Sequence, residues 1–144
     1  MDGWASALDC FQEYEVVDPQ TNQRSRKLFR PDGYFRYLFQ GRLFGCFLEV
    51  DRSTMSHSRF QMKVKSYLEY AQSGLYQRRY GLQFFRVLVV SKTRERLLNL
   101  QAATEALTEK IFWFTAMDHL VPDQILGRIW HRPGQADTFR LLGD

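Results

Sequence analysis

The sequence predicts an α/β fold: a mixed sheet built on a β-hairpin and flanked by helices. Three observations carry that prediction. Strand-like and helix-like periodicities follow one another in the order hairpin, helix, strand, helix, strand. The chain has 144 residues, enough for one hydrophobic core and short for two. Hydrophobic residues make up 44% of it, which excludes a disordered polar chain. We therefore read residues 1–144 as a single domain, with an acidic N-terminal segment (1–23), a core (24–130) and a C-terminal tail (131–144).

The elements follow in order. Trp4–Phe11 reads as a short helix. Asp18–Arg26 is polar, contains a Pro and reads as a loop. Leu28–Phe39 reads as a strand that Pro31-Asp32-Gly33 interrupts, since Pro cannot donate to a ladder. Gln40-Gly41 suits a two-residue turn, and Arg42–Val50, rich in Phe, Leu and Val, suits the returning strand. From Ser56 to Gly74, Phe60, Val64, Tyr67, Leu68 and Ala71 recur at helical spacing, with Gly74 placed to end the helix. Leu82–Val90 is strongly apolar, as expected of a strand buried on both faces. Thr93 can cap a helix running to about Thr108, Ile111–Thr115 reads as a strand, and Pro122-Asp123 opens a last short helix to about Trp130.

The hairpin register concentrates carboxylates. With a two-residue turn at Gln40-Gly41, Phe39 faces Arg42 and Asp32 faces Glu49 on one side of the hairpin. Asp51, two residues beyond Glu49, points the same way. Phe35, Tyr37, Phe39, Phe44, Cys46, Leu48 and Val50 occupy the other side, a core face. Three converging carboxylates repel unless a cation lies between them, and hard oxygen ligands suit Mg²⁺ or Mn²⁺. The alternative is a solvated hairpin edge paired with Arg36 or Arg52. On the following helix, Lys63 falls at the border of the apolar face. From there it can lay its stem on the core and aim its ammonium at the carboxylates. Lys65 is the more exposed fallback.

Charge is uneven along the chain. Residues 1–23 hold five acids and no Lys or Arg; residues 24–96 hold sixteen Lys or Arg and five acids, a net of +11. Such a basic middle fits a polyanion-binding surface as well as it fits an ordinary solvated one. Arg52, Lys65, Arg78 and Arg79 are the candidates for nucleic-acid contact; Tyr76 and Tyr80 beside the last two make a polar-aromatic loop that could stack on bases. No apolar run reaches the roughly 20 residues a membrane helix needs. The N-terminus shows no signal-peptide pattern, and Cys10 and Cys46 suit a reduced, cytoplasmic protein. His57, His119 and His131 lack metal-ligand spacing, and no phosphate-cradling glycine loop is present.

The run Arg30-Pro31-Asp32-Gly33, then Phe47-Leu48-Glu49-Val50-Asp51-Arg52-Ser53-Thr54, resembles the replication-relaxation family of plasmid and mobile-element proteins. So do Lys63-Val64-Lys65-Ser66-Tyr67, Ser73-Gly74, Phe85–Val90 and Phe112–Thr115; together they span about residues 28–130. The resemblance implies a restriction-endonuclease-like core similar to the PD-(D/E)XK nucleases, with Asp32 and Glu49 as the metal-binding acids. Position 51, where that pattern places Lys, is Asp; in divergent members the lysine moves to the next helix, which Lys63 and its spacing to Tyr67 match. The family's N-terminal winged helix finds no room here and the first nuclease helix reads as short or missing. A reduced member, a fragment, a homo-oligomer or a protein partner supplying those elements would each account for this.

Three functions follow as expectations. The first is Mg²⁺- or Mn²⁺-dependent cleavage or nicking of DNA, with Asp32, Glu49 and Asp51 on the metal and Lys63 on the attacking water. The second is a catalytically inactive module of the same fold that binds DNA in replication control. The third is a regulatory partner of another protein.

Overall fold

The computed structural model describes residues 3–6, 12–117 and 128–141. Among the described residues nine strands and three helices follow in order: β1 (Gly3–Ser6), β2 (Gln12–Val17), β3 (Arg24–Phe29), β4 (Gly33–Phe39), β5 (Arg42–Asp51), α1 (His57–Ser73), α2 (Leu75–Tyr80), β6 (Phe85–Ser91), α3 (Arg94–Glu105), β7 (Phe112–Ala116), β8 (Trp130–His131) and β9 (Thr138–Phe139). Seven strands form one mixed sheet in the order β1-β4-β5-β6-β7-β8-β9, while β2 and β3 pair as a separate ribbon. The predicted α/β class and the hairpin–helix–strand–helix–strand order are both present.

The central hairpin has the expected register. Phe39 pairs with Arg42 and Gly33 with Leu48. Gln40 and Gly41 both take positive φ, 50° and 76°, as a turn matching the twist of two antiparallel strands requires. β5, β6 and β7 then run parallel, joined by crossovers that contain helices, as parallel strands demand. α1 begins where Ser56 Oγ accepts the Arg59 N–H and ends at Gly74, φ 79°. α3 is capped by Thr93 in the same manner.

Several expectations fail. Gly3–Ser6 is a strand paired with β4 rather than the start of a helix; residues 7–11 lie outside the described residues. Arg24–Arg26 is not loop but the start of β3, which pairs with β2. That ribbon shows no hydrophobic alternation because of β3 only Phe29 is buried. Backbone pairing holds it, with exposed cross-strand ion pairs Arg24–Glu15 and Arg26–Glu13. Residues 75–80 are a short helix with Tyr76 buried, not an open aromatic loop. Of the final helix expected over 122–130, residues 122–127 lie outside the described residues, and Trp130 belongs to β8. Within the expected tail, β9 extends the sheet and Leu141 is buried.

The sheet separates two cores. The face expected to be the core carries Tyr37, Cys46, Leu88, Trp113, Trp130 and Leu141, with Phe35, Phe39, Phe44 and Leu48 packed at its edge. The larger core lies on the opposite, helix-covered face around Phe47, Tyr67, Tyr70, Val87, Leu97 and Phe114. Glu49 and Asp51 are on that second face, so they are buried among apolar groups rather than solvated at an edge.

Candidate functional site

Parallel strands β5 and β6 end together, with Asp51 beside Ser91, and the chain leaves β5 through residues 52–56 into α1. Crevices at the carboxyl ends of parallel strands are natural ligand sites in open α/β sheets. Here a cleft of about 440 Å³ is bounded by Asp32, Glu49, Asp51, Arg52, Met55 and Lys63, among others.

Asp32 reaches the cleft from the start of β4. Its N–H donates to the Leu48 carbonyl at 3.0 Å, and its Oδ2 accepts the Val50 N–H at 2.8 Å. The carboxylate thus continues the ladder one residue past the last paired position, Gly33–Leu48. The register that sets Asp32 opposite Glu49 is kept, but one Asp32 oxygen is committed to backbone.

Glu49 is only 5% exposed. Lys63 Nζ lies 2.6 Å from its Oε2, and the Tyr67 hydroxyl donates to its Oε1. Burial nevertheless dominates. It lifts the Glu49 carboxyl from its usual 4.5 to about 7; Lys63 and Tyr67 oppose the shift and the nearby Asp32 adds to it. Near neutral pH this carboxyl is poised to hold or release a proton.

Lys63 and Tyr67 are one helical turn apart, so both project from α1 toward β5. The buried residues of α1 are Phe60, Val64, Tyr67 and Tyr70. Tyr70 stands where the sequence pattern placed Ala71, which is exposed. That shift rotates the buried face toward Lys63 and brings the lysine closer to the core than apolar spacing alone suggests. Its side chain is 29% exposed, a stem packed on the core with its ammonium at the cleft wall.

Asp51 has a different setting from the expected one. It is 8% exposed and held by Arg96 of α3, whose Nε and Nη2 donate to its two oxygens at 2.7 and 3.1 Å. Nη2 also donates to the Met55 carbonyl at 2.6 Å, tying the 52–56 segment to the end of β5. Ser53 in that segment takes a positive φ of 63°. Arg96 carried no sequence signal, because it lies 45 residues from Asp51 on another helix. The hydrogen bond from Tyr67 could have been read from its spacing to Lys63.

Among the nucleic-acid candidates, Arg52 lines the cleft. Lys65 is exposed on α1 and is not part of the cleft wall. Arg78 and Arg79 are exposed on α2, beyond the far end of α1 and roughly 15 Å of helix from Lys63. No group of three His, Cys, Asp or Glu side chains positioned to hold a metal occurs among the described residues.

These elements define a mixed α/β protein with two acids and a lysine at the carboxyl ends of its central strands. Comparison with known proteins is specific on one point: the replication-relaxation family model matches residues 4–86, 83 of the 144 residues. The chain belongs to the replication-relaxation family, and membership points to a role in plasmid or mobile-element replication. Asp32, Glu49, Lys63 and Tyr67 all fall inside the matched region. No curated protein and no solved structure matches the chain.

Proposed function

We propose that the chain is a metal-dependent phosphodiester hydrolase that cleaves or nicks DNA during replication of a plasmid or mobile element. The observation that carries this reading is the convergence of Asp32, Glu49 and Lys63 on one cleft, with Glu49 buried and held between Lys63 and Tyr67. An ordinary surface ion pair would leave its carboxylate in water, whereas Glu49 is buried beside Lys63 and Tyr67.

The donor set fits Mg²⁺ or Mn²⁺ in a reduced form. Such ions keep several waters and need only one or two carboxylates; Asp32 and Glu49 supply them, whereas Asp51 is engaged by Arg96. When bound, such an ion supplies charge for polarising a phosphate and lowering the pKa of water. The chain's own residues supply the rest. Lys63 places a fixed positive charge at the cleft wall, where it can orient a water and stabilise charge developing on a nonbridging phosphate oxygen. Tyr67 fixes the Glu49 carboxylate plane. Arg52, at the mouth, can take a flanking phosphate. Water attacks phosphorus and one ester P–O bond breaks, leaving a phosphate and a hydroxyl terminus.

The test is conversion of supercoiled plasmid by purified protein with Mg²⁺ or Mn²⁺. Nicked or linear product should form, and Glu49→Gln and Lys63→Met should each slow it by about 100-fold or more. Absence of cleavage by the wild type, or undiminished cleavage by Glu49→Gln, overturns the reading. One observation favours a second reading, a catalytically inactive module binding DNA or a protein partner. Both Glu49 oxygens already have donors and Asp51 has Arg96, so the site is satisfied without a metal. That module predicts salt-sensitive DNA binding indifferent to Glu49→Gln.

A further inference from the structure

The opposite end of the sheet holds a second cleft, of about 540 Å³, within the size range of ligand sites. Its walls include Arg42, Phe44, Phe84, Arg86, Trp113 and Arg132 and, among the described residues, no acidic one. Three guanidinium groups alternate with aromatic rings. Arg42 lies 5.4 Å from the centre of the Phe44 ring and Arg86 lies 5.3 Å from it. Arg86 is also 4.5 Å from the centre of Trp113, Arg132 is 4.9 Å from Trp113, and Arg132 is 5.0 Å from Phe139.

Stacking on a ring face occupies the flat side of a guanidinium and leaves its N–H edge for an anion. Arg86 uses part of its edge internally, donating from Nη1 to the Tyr37 hydroxyl at 3.1 Å and the Leu141 carbonyl at 2.7 Å. Among the described residues no carboxylate pairs with Arg42, Arg86 or Arg132. Three cations strung along two shared rings repel, and an anion relieves that cost. Beside them Phe84 is 76% exposed, a large ring facing water at the edge of a cationic cleft. Aromatic faces next to phosphate-binding arginines are the elements of single-strand recognition.

We propose that this arginine–aromatic cleft binds single-stranded DNA, with one base stacking on Phe84 and neighbouring phosphates taken by Arg42 and Arg132. The site is separate from the Asp32–Glu49–Lys63 cleft. Phe44 and Glu49 are five residues apart on β5, so they lie roughly 16 Å apart on opposite faces of the sheet. The inference goes beyond the hydrolytic reading and stands without it. A strand held here would be bound, not cut.

The test is fluorescence anisotropy of a labelled 12-residue oligothymidylate, with EDTA present, over a series of salt concentrations. A 12-base-pair duplex serves as the comparison. Wild type should bind the single strand more tightly than the duplex. Phe84→Ser should weaken single-strand binding about 5-fold or more. Arg42→Gln and Arg132→Gln should each weaken it and together lower the slope of log K against log salt by about 1.4. Arg59→Gln, which removes an exposed cation of α1 outside both clefts, should leave it within 2-fold, which separates this site from a general charge effect. Arg42 and Phe84 are exposed, so their variants fold and decide the matter even if Arg132→Gln does not. Equal binding of duplex and single strand overturns the proposal. So does unchanged affinity in Phe84→Ser and Arg42→Gln, or an equal loss in Arg59→Gln; in these cases the cationic stack only packs the sheet.

Discussion

Gly45→Ala tests the packing that places α1 and α2 against β5. A Cβ at position 45 would lie 2.0 Å from the Tyr76 hydroxyl oxygen and 2.5 Å from that of Tyr34. Those hydroxyls are hydrogen-bonded to each other at 2.8 Å in a buried setting. Neither ring can swing aside. Tyr34 packs on Phe47 and Tyr80 with centroids at 4.8 and 4.2 Å, and Tyr76 packs on Phe85 at 4.8 Å. Overpacking costs about 1–3 kcal/mol, and parting a buried hydroxyl pair costs about 1–3 kcal/mol more. Loss of a glycine from the unfolded chain returns about 0.4–1 kcal/mol. The net expectation is a destabilisation of about 2–5 kcal/mol, read as a fall in the urea midpoint at unchanged slope. Adding Tyr76→Phe removes the nearest clashing oxygen and should recover at least about 1 kcal/mol, a coupling that independent sites lack. A Gly45→Ala protein within about 1 kcal/mol of wild type, or strictly additive effects in the double variant, would refute this account of the core.

Three further outcomes are expected. The folded Glu49 carboxyl titrates near 7 against a usual 4.5, so between those values the folded chain holds a proton that the unfolded chain has lost. Its contribution therefore favours folding below about pH 4.5 and weakens as pH rises to about 7. In EDTA, denaturant titrations at pH 5 and pH 8 should show wild type losing on the order of 2–3 kcal/mol more than Glu49→Gln across that interval; parallel pH profiles would contradict it. Arg96→Met strands the buried Asp51 charge and frees the Met55 carbonyl, so it should cost about 3–5 kcal/mol, and adding Asp51→Asn should restore part of that in thermal melts. Ser91 Oγ is buried and has no hydrogen-bond partner among the described residues, so Ser91→Ala should be neutral or stabilising by about 1 kcal/mol in the same melts.

The parts of the fold legible in the sequence are those whose neighbours along the chain determine them. The hairpin register follows from Gln40-Gly41, and α1 follows from Ser56, Gly74 and a helical spacing of apolar residues. Both placed the candidate site in advance: Asp32 against Glu49, and Lys63 at the margin of the helix. What escaped depended on distant partners. Among its described side chains the β2–β3 ribbon buries only Tyr14 and Phe29, too few to set a hydrophobic period. The face bearing Glu49 proved to be the more deeply covered one, because Tyr67, Tyr70 and Tyr76 fill it and aromatic residues carry weak positional signal. Asp51 reads as a metal ligand from the sequence because its partner, Arg96, is supplied by α3, 45 residues further along the chain.

In the proposed site Asp32 and Glu49 together hold a divalent cation beside Lys63. Crystals soaked in millimolar Mn²⁺ above pH 7, where Glu49 is ionised, test it most directly through anomalous diffraction. A peak is expected within coordination distance of both carboxylates and should disappear in Glu49→Gln. A map without that peak, with Glu49 still holding Lys63 and Tyr67 and Asp32 still on the Val50 amide, would contradict it.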